Sequence, residues 1–379
     1  MLFKIQKAFE SLNHPGIDTS LLKLGYNAIP YYFNNNYKAH NPLTLYWSIN
    51  SVCNLRCKMC DVGTFNEEST FFKTLRIDRK LHEIDINVFK SVIDEVKHYK
   101  PFISLNSTEP LMYKQISNAI SYCSSSNLKS AITTGAYFLE NVAKDLADSK
   151  LTRLNVSIDG PSNIHNSIRG KKDVFEKAVE GIRLFKLYSD QINHKPEIII
   201  NYTITNLNYF CLNDFLKSIK DVPYTRVNFC LMWFLSPEIV DSHNSIWGNK
   251  YDIQTSCYDE HVSPNKVDVD LLYSQIKKIE KNKKIHFLFK KNLKWLKNFF
   301  YDSLNPISTS ANCMASWFFT QILADGNVIV YSRCHNKSVG NINNEKLLNI
   351  WNNNKMREWR KFIKQHKKMP MCSRCDLVY

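Results

Sequence analysis

The chain has 379 residues, 44% of them hydrophobic, and a formal charge of +15. That length buries a large core, as one sizeable domain plus a small appendage, and needs no disulfide frame. No uncharged apolar run is long enough to cross a membrane, and the segment around Lys4 and Lys7 lacks the apolar core of a signal peptide. The expected compartment is therefore the cytoplasm, where eleven cysteines stay reduced.

In chain order, residues 1–43 read as an N-terminal extension, polar and aromatic, with a short helix at 3–12 that stops before Pro15. Apolar runs then alternate with helical patterns. The strands are expected at 44–49, 102–105, 130–134, 154–158, 197–204 and 226–232, and the helices between them at 88–98, 113–124, 139–149, 174–188 and 212–220. Short apolar strands suit a parallel sheet covered on both faces. Six βα units in a row over 44–235 predict an α/β fold, a partial TIM-like barrel with its chemistry at the C-terminal strand ends.

Residues 236–310 lose the alternation. They hold Pro237, Pro264 and Pro306, a helix at 271–281 and a basic-aromatic helix at 290–300, and read as a linker and helical region packed on the barrel. Residues 311–379 form a small C-terminal domain. It has a hairpin (320–324, a turn at Asp325-Gly326-Asn327, then 328–331) and a helix at 347–364. From residue 281 to the end there are 18 Lys and Arg against 5 Asp and Glu. Such an excess is either a solvated face or an attraction for anions.

Cys53, Cys57 and Cys60 stand within eight residues, just after the first strand. Three thiols that close together turn toward one soft metal centre, iron–sulfur or zinc. Zinc wants four ligands, whereas three on a four-iron cluster leave one iron open for chemistry. Cys313, Cys334, Cys372 and Cys375 form a second group, the last two separated by two residues. Four thiols saturate either a structural zinc or a fully ligated iron–sulfur cluster, and spacing alone does not separate the two.

The spacing Cys53-(three)-Cys57-(two)-Cys60, with Met59 before the third cysteine, resembles the signature of the radical S-adenosylmethionine (SAM) superfamily. The resemblance implies a SAM-binding [4Fe-4S] cluster on those cysteines and reductive cleavage of SAM. The 5′-deoxyadenosyl radical so formed abstracts hydrogen from a substrate C–H bond. Ser107-Thr108-Glu109-Pro110 looks like the family's Gly-Gly-Glu-Pro strand end, with both glycines replaced. Thr133-Thr134-Gly135 and Ser157-Ile158-Asp159-Gly160, followed by Arg169, are also familiar. By analogy Met59, Ser107, Thr108, Glu109, Thr134, Ser157, Arg169 and Asn201 bind the cofactor.

The run from Cys313 through Asp325-Gly326-Asn327, Cys334, Gly340-Asn341-Ile342 and Ile350-Trp351-Asn352 to Cys372-Ser373-Arg374-Cys375 resembles the C-terminal SPASM module, in its shortened twitch form. It implies an auxiliary [4Fe-4S] cluster that moves single electrons.

The expected activity is radical oxidation of a small polar substrate (a sugar, nucleotide or phosphorylated compound), with the auxiliary cluster as electron acceptor and a flavodoxin or ferredoxin as electron donor. Only 52 residues precede Cys53, short for a peptide-recognition domain. The alternatives are an epimerase, a ribosomal-peptide-modifying enzyme and, from another class, a zinc-stapled nucleic-acid binder, against which no recognition motif is found. Cys123, Cys211, Cys230 and Cys257 read as buried small hydrophobes. Cys230, on the sixth strand, is the candidate catalytic hydrogen donor. His165, His243, His261 and His335 are candidate proton acceptors.

Overall fold

Short strands with β-branched and aromatic residues, the first seven each followed by helical segments, build one ten-stranded sheet. The computed structural model describes residues 21–75, 80–302 and 312–375. The helix expected at 3–12 lies outside them.

The strands are β1 Thr44–Trp47, β2 Phe102–Leu105, β3 Ser130–Thr134, β4 Arg153–Ser157, β5 Glu197–Ile204, β6 Arg226–Leu231, β7 Ile285–Phe287, β8 Phe319–Ile322, β9 Asn327–Ile329 and β10 Gly340–Asn341. Their order is β10-β9-β8-β1-β2-β3-β4-β5-β6-β7. From β8 to β7 every neighbouring pair is parallel, while β9 and β10 are antiparallel additions at one edge. Every residue of β1, β2 and β8 is buried, as parallel strands covered on both faces require.

The six expected strands are all present, and the structure adds one parallel strand on each flank. β7 pairs with β6 through Val227–Ile285, Asn228–His286 and Phe229–Phe287. β8 pairs with β1 from Thr44–Phe319 to Trp47–Ile322, so the C-terminal hairpin continues the barrel sheet. The basic-aromatic helix runs Leu293–Tyr301, starting where the Asn292 side chain accepts from the Trp295 amide. The single helix expected at 347–364 is two, Leu347–Trp351 and Asn354–His366. They part because the Asn353 side chain accepts from the Met356 amide and caps the second.

Of residues 236–310, the described part, 236–302, packs on the C-terminal segment through aromatic rings. Trp247 meets Phe362 edge-on at 5.0 Å, and Tyr251 packs against Trp359 and His335 at 5.0 and 4.9 Å. Among the described residues no helix is long and apolar enough to cross a membrane.

Candidate active site

Parallel strands end on one side, so their C-terminal ends gather the turns that carry polar side chains. There the structure holds a cavity of about 630 Å3. Its wall takes Ser107 after β2, Ser157 from β4, Asn201 from β5, Cys230 from β6, Lys290 beyond β7 and Gln321 from β8, with Met59, Cys60 and Arg169 beside them.

The cysteine loop runs from β1 into the short helix Asp61–Thr64. It lies along the chain returning from β4: Arg56 N–H donates to Arg169 O at 3.2 Å and Lys58 N–H to Ile168 O at 2.9 Å. Two glycines permit that approach. A Cβ on Gly63 would stand 2.5 Å from Cys57 N, and one on Gly170, at φ +75°, would stand 2.7 Å from Arg56 O. Cys60 lines the cavity and Cys57 is buried behind it.

Burial pushes the Cys53 thiol up to about 11 and the Cys60 thiol up to about 12. Cys57 is raised by burial too, opposed by the Arg169 guanidinium, whose Nη1 lies 3.6 Å from its sulfur. Asp159, fully buried, accepts from Arg169 Nε at 2.7 Å. Burial works against the charge of Arg169, but Asp159 and Cys57 outweigh it and hold its pKa high. A soft metal deprotonates such thiols outright, and three closely spaced thiols, one of them buried beside a fixed cation, are the donor chemistry a [4Fe-4S] cluster uses. Among the described residues no three Cys, His, Asp or Glu side chains converge on one point as around a single ion. The fit therefore rests on donor type and position.

The cofactor-binding candidates divide into two groups. Met59, Ser107, Ser157, Arg169 and Asn201 line the cavity. Thr108, Glu109 and Thr134 do not; they tie the neighbouring turns together. The Glu109 carboxylate accepts from Thr134 Oγ1 at 2.6 Å, Gly135 N at 2.9 Å and Leu111 N at 3.1 Å. Burial raises its pKa in spite of those three donors. Thr108 Oγ1 donates toward Asn50, whose side-chain oxygen is 2.7 Å away. Ser107, with φ +83°, donates to Asn106 Oδ1 and accepts from Gln321 Nε2, both at 2.9 Å.

In the second group, Cys372 and Cys375 share one turn, closed by a 3.3 Å bond from Cys375 N–H to Cys372 O. Burial first, then the nearby Cys313, pushes Cys372 up to about 12. Arg374, buried between the pair, donates to Phe299 O at 2.9 Å, Asn298 O at 3.3 Å and also Asp302 O, all at the end of the Leu293–Tyr301 helix. None of Cys313, Cys334, Cys372 or Cys375 lines the cavity, although Ser332 and Arg333, beside Cys334, do.

Cys230 lines the cavity, its sulfur 3.5 Å from Thr203 Oγ1. Cys257, read from sequence as packing, lines it as well, its amide donating to Asp61 Oδ1 at 2.9 Å. No motif around residue 257 marks it. The four histidines stay off the cavity wall. His165, His243 and His335 are buried, and burial lowers the pKa of each, His335 to about 3.

A family model described as the Radical SAM superfamily matches residues 47–227, and one described as an iron-sulfur cluster-binding domain, SPASM, matches 313–376. The second match is to an iron–sulfur module and so implies an auxiliary iron–sulfur cluster, in place of zinc, within residues 313–376.

Among curated proteins, a GTP 3′,8-cyclase of Campylobacter fetus is 28% identical over 137 residues, 36% of this chain and 40% of that protein. An Fe-coproporphyrin III synthase of Methanosarcina barkeri is 25% identical over 138 residues, 36% of this chain and 32% of that protein. The chain thus spans less than half the length of these relatives.

Among solved structures, Streptococcus suis SuiB bound to precursor peptide SuiA superposes with a TM-score of 0.60 at 16% identity, over 99% of this chain and 82% of that one. Native anSMEcpe with bound AdoMet gives 0.55 at 19% identity, over 84% and 83%. At these identities the likeness is one of fold.

Proposed function

We propose that this chain, a radical SAM enzyme with a C-terminal SPASM module, oxidises a C–H bond of a small polar substrate held in the strand-end cavity. When bound, the first cluster with SAM supplies reductive SAM cleavage and hydrogen-atom abstraction, and the auxiliary cluster supplies a one-electron acceptor.

The chain's own residues do the rest. Cys53, Cys57 and Cys60 hold the first cluster, and Cys313, Cys334, Cys372 and Cys375 the second. Arg169 fixes the Cys57 side of the loop. Ser107, Ser157 and Asn201 offer hydrogen bonds to SAM along one wall, with Met59 against it, while Thr108, Glu109 and Thr134 shape the turns behind. The observation that carries this reading is the cavity itself, whose lining brings together Cys60, Met59, Ser157, Arg169 and Asn201. The reducing electron comes from a flavodoxin- or ferredoxin-type partner, in the cytoplasm.

The test is anaerobic turnover of the reconstituted enzyme with deuterated sugar nucleotides and sugar phosphates. Oxidation predicts deuterium in 5′-deoxyadenosine and no solvent hydrogen in the product. SAM cleavage that ignores these compounds but rises with a peptide would sink it.

Epimerisation is the second reading, favoured by the place of Cys230 on the cavity wall. It predicts one solvent-derived hydrogen in the product, lost in Cys230→Ala.

A further inference from the structure

The charge on the cavity wall is cationic. Among the described residues that line it there are three cations, Arg169, Lys290 and Arg333, and no Asp or Glu. Arg169 is committed to Asp159 and reaches Cys57, so it serves the cysteine loop. Lys290 follows β7 and Arg333 follows β9, so the two come from opposite flanks of the open sheet and approach one space. Aromatic rings accompany them: the Arg333 guanidinium lies 5.9 Å from the ring centre of Trp233 and 6.0 Å from that of Tyr331. Phe287 and Phe289 line the Lys290 side. Flat apolar faces with cations at the rim suit a ring-bearing molecule that carries an anionic group.

We infer that Lys290 and Arg333 form an anion subsite that binds the phosphate or diphosphate of a ring-bearing substrate, on the reading that this cavity holds substrate beside SAM. A guanidinium presents a planar fork to phosphate oxygens and an ammonium a mobile point charge, a pairing that grips a tetrahedral anion from two sides. A wall without carboxylates adds no repulsion to be overcome. The competing role is charge compensation of the auxiliary cluster, because Arg333 is next to Cys334 in the chain. The two roles differ in what is lost on mutation: anion affinity in one, iron in the other.

The experiment is calorimetric titration of the anaerobically reconstituted holoenzyme, saturated with SAM, with inorganic phosphate and with inorganic pyrophosphate. At least one of them binds, and the tighter one reads whether the natural group is a monophosphate or a diphosphate. Lys290→Gln and Arg333→Gln each weaken that binding about tenfold, and the double variant about a hundredfold, with iron content as in the wild type. Lys290 is exposed, so Lys290→Gln keeps the test standing if Arg333→Gln does not fold. The inference is overturned if neither anion binds, if the folded variants bind as tightly as wild type, if SAM displaces the anion, or if iron is lost with it. Wild-type formation of 5′-deoxyadenosine from SAM is measured on the same preparation. Its absence defeats the radical SAM reading, whereas its presence without anion binding defeats only the subsite.

Discussion

The side-chain amide of Gln321, in β8, donates to Ser107 Oγ at 2.9 Å, joining the C-terminal hairpin to the turn after β2. The same amide reaches Ser48 Oγ at 3.1 Å, and its oxygen accepts from Ser332 N–H at 2.9 Å. Gln321 is buried, so Gln321→Ala removes all three bonds and costs about 1–3 kcal/mol. Because Ser107 is placed on the proposed SAM wall, SAM affinity is expected to fall about tenfold. A thermal melt and a SAM titration check both, and wild-type affinity in the variant would dissociate the strut from the SAM wall. Ser107→Gly relieves the left-handed backbone while giving up one hydroxyl, and the two effects offset to within about threefold in affinity.

The strut also marks where reading the sequence ran out. β2, β3 and β5 fall where the apolar runs ended, because each is flanked by a clear change of period or a turn. β7 escaped notice because three residues behind Lys283 and Lys284 are too few to show alternation. β8 was legible as a strand, but its parallel partner was not: pairing across nearly three hundred residues leaves no local trace. The cysteine groups stood out through spacing alone. Cys257, Lys290 and Arg333 did not, since only the closing of the sheet's two flanks brings them to the cavity.

Arg374 pins the Cys372–Cys375 turn to the end of the Leu293–Tyr301 helix, where a cation also answers the helix dipole. Burial lowers its pKa to about 10, with the Asp302 charge acting upward. Arg374→Met would remove the bonds to the Asn298, Phe299 and Asp302 carbonyls and free the turn. The expected outcome is loss of the auxiliary cluster's iron with the first cluster kept. Arg374→Lys should not restore it, because an ammonium cannot reproduce the planar fork. Full iron in Arg374→Met would show that the turn holds its place unaided.

The two cysteine groups should load independently. Wild type is expected to hold about eight irons, falling to about four when Cys53, Cys57 and Cys60 are all changed to Ala. The same fall is expected when Cys313, Cys334, Cys372 and Cys375 are changed instead. SAM should perturb the EPR signal only of the second variant, whose remaining cluster keeps an open iron. About four irons in the wild type, unaffected by the C-terminal changes, would remove the auxiliary cluster and with it the electron acceptor of the proposed oxidation.

Asp159 connects the first cluster loop to the sheet. One carboxylate oxygen accepts from Arg169, the other from Thr203 N–H at 2.9 Å, and its own N–H donates to His165 Nδ1 at 3.0 Å. Asp159→Asn keeps the shape and removes the charge, leaving Arg169 buried without its counter-ion. Breaking a buried pair in this way costs about 3–5 kcal/mol. Arg169 would then shift from Cys57, so iron should leave the first site faster when a chelator is added, while the auxiliary cluster is untouched. Asp159→Glu should fail to rescue it, since a longer side chain has no room among groups this buried. Wild-type melting and wild-type iron release in Asp159→Asn would mean that the cysteine loop is held by its backbone bonds to Ile168 and Arg169 alone.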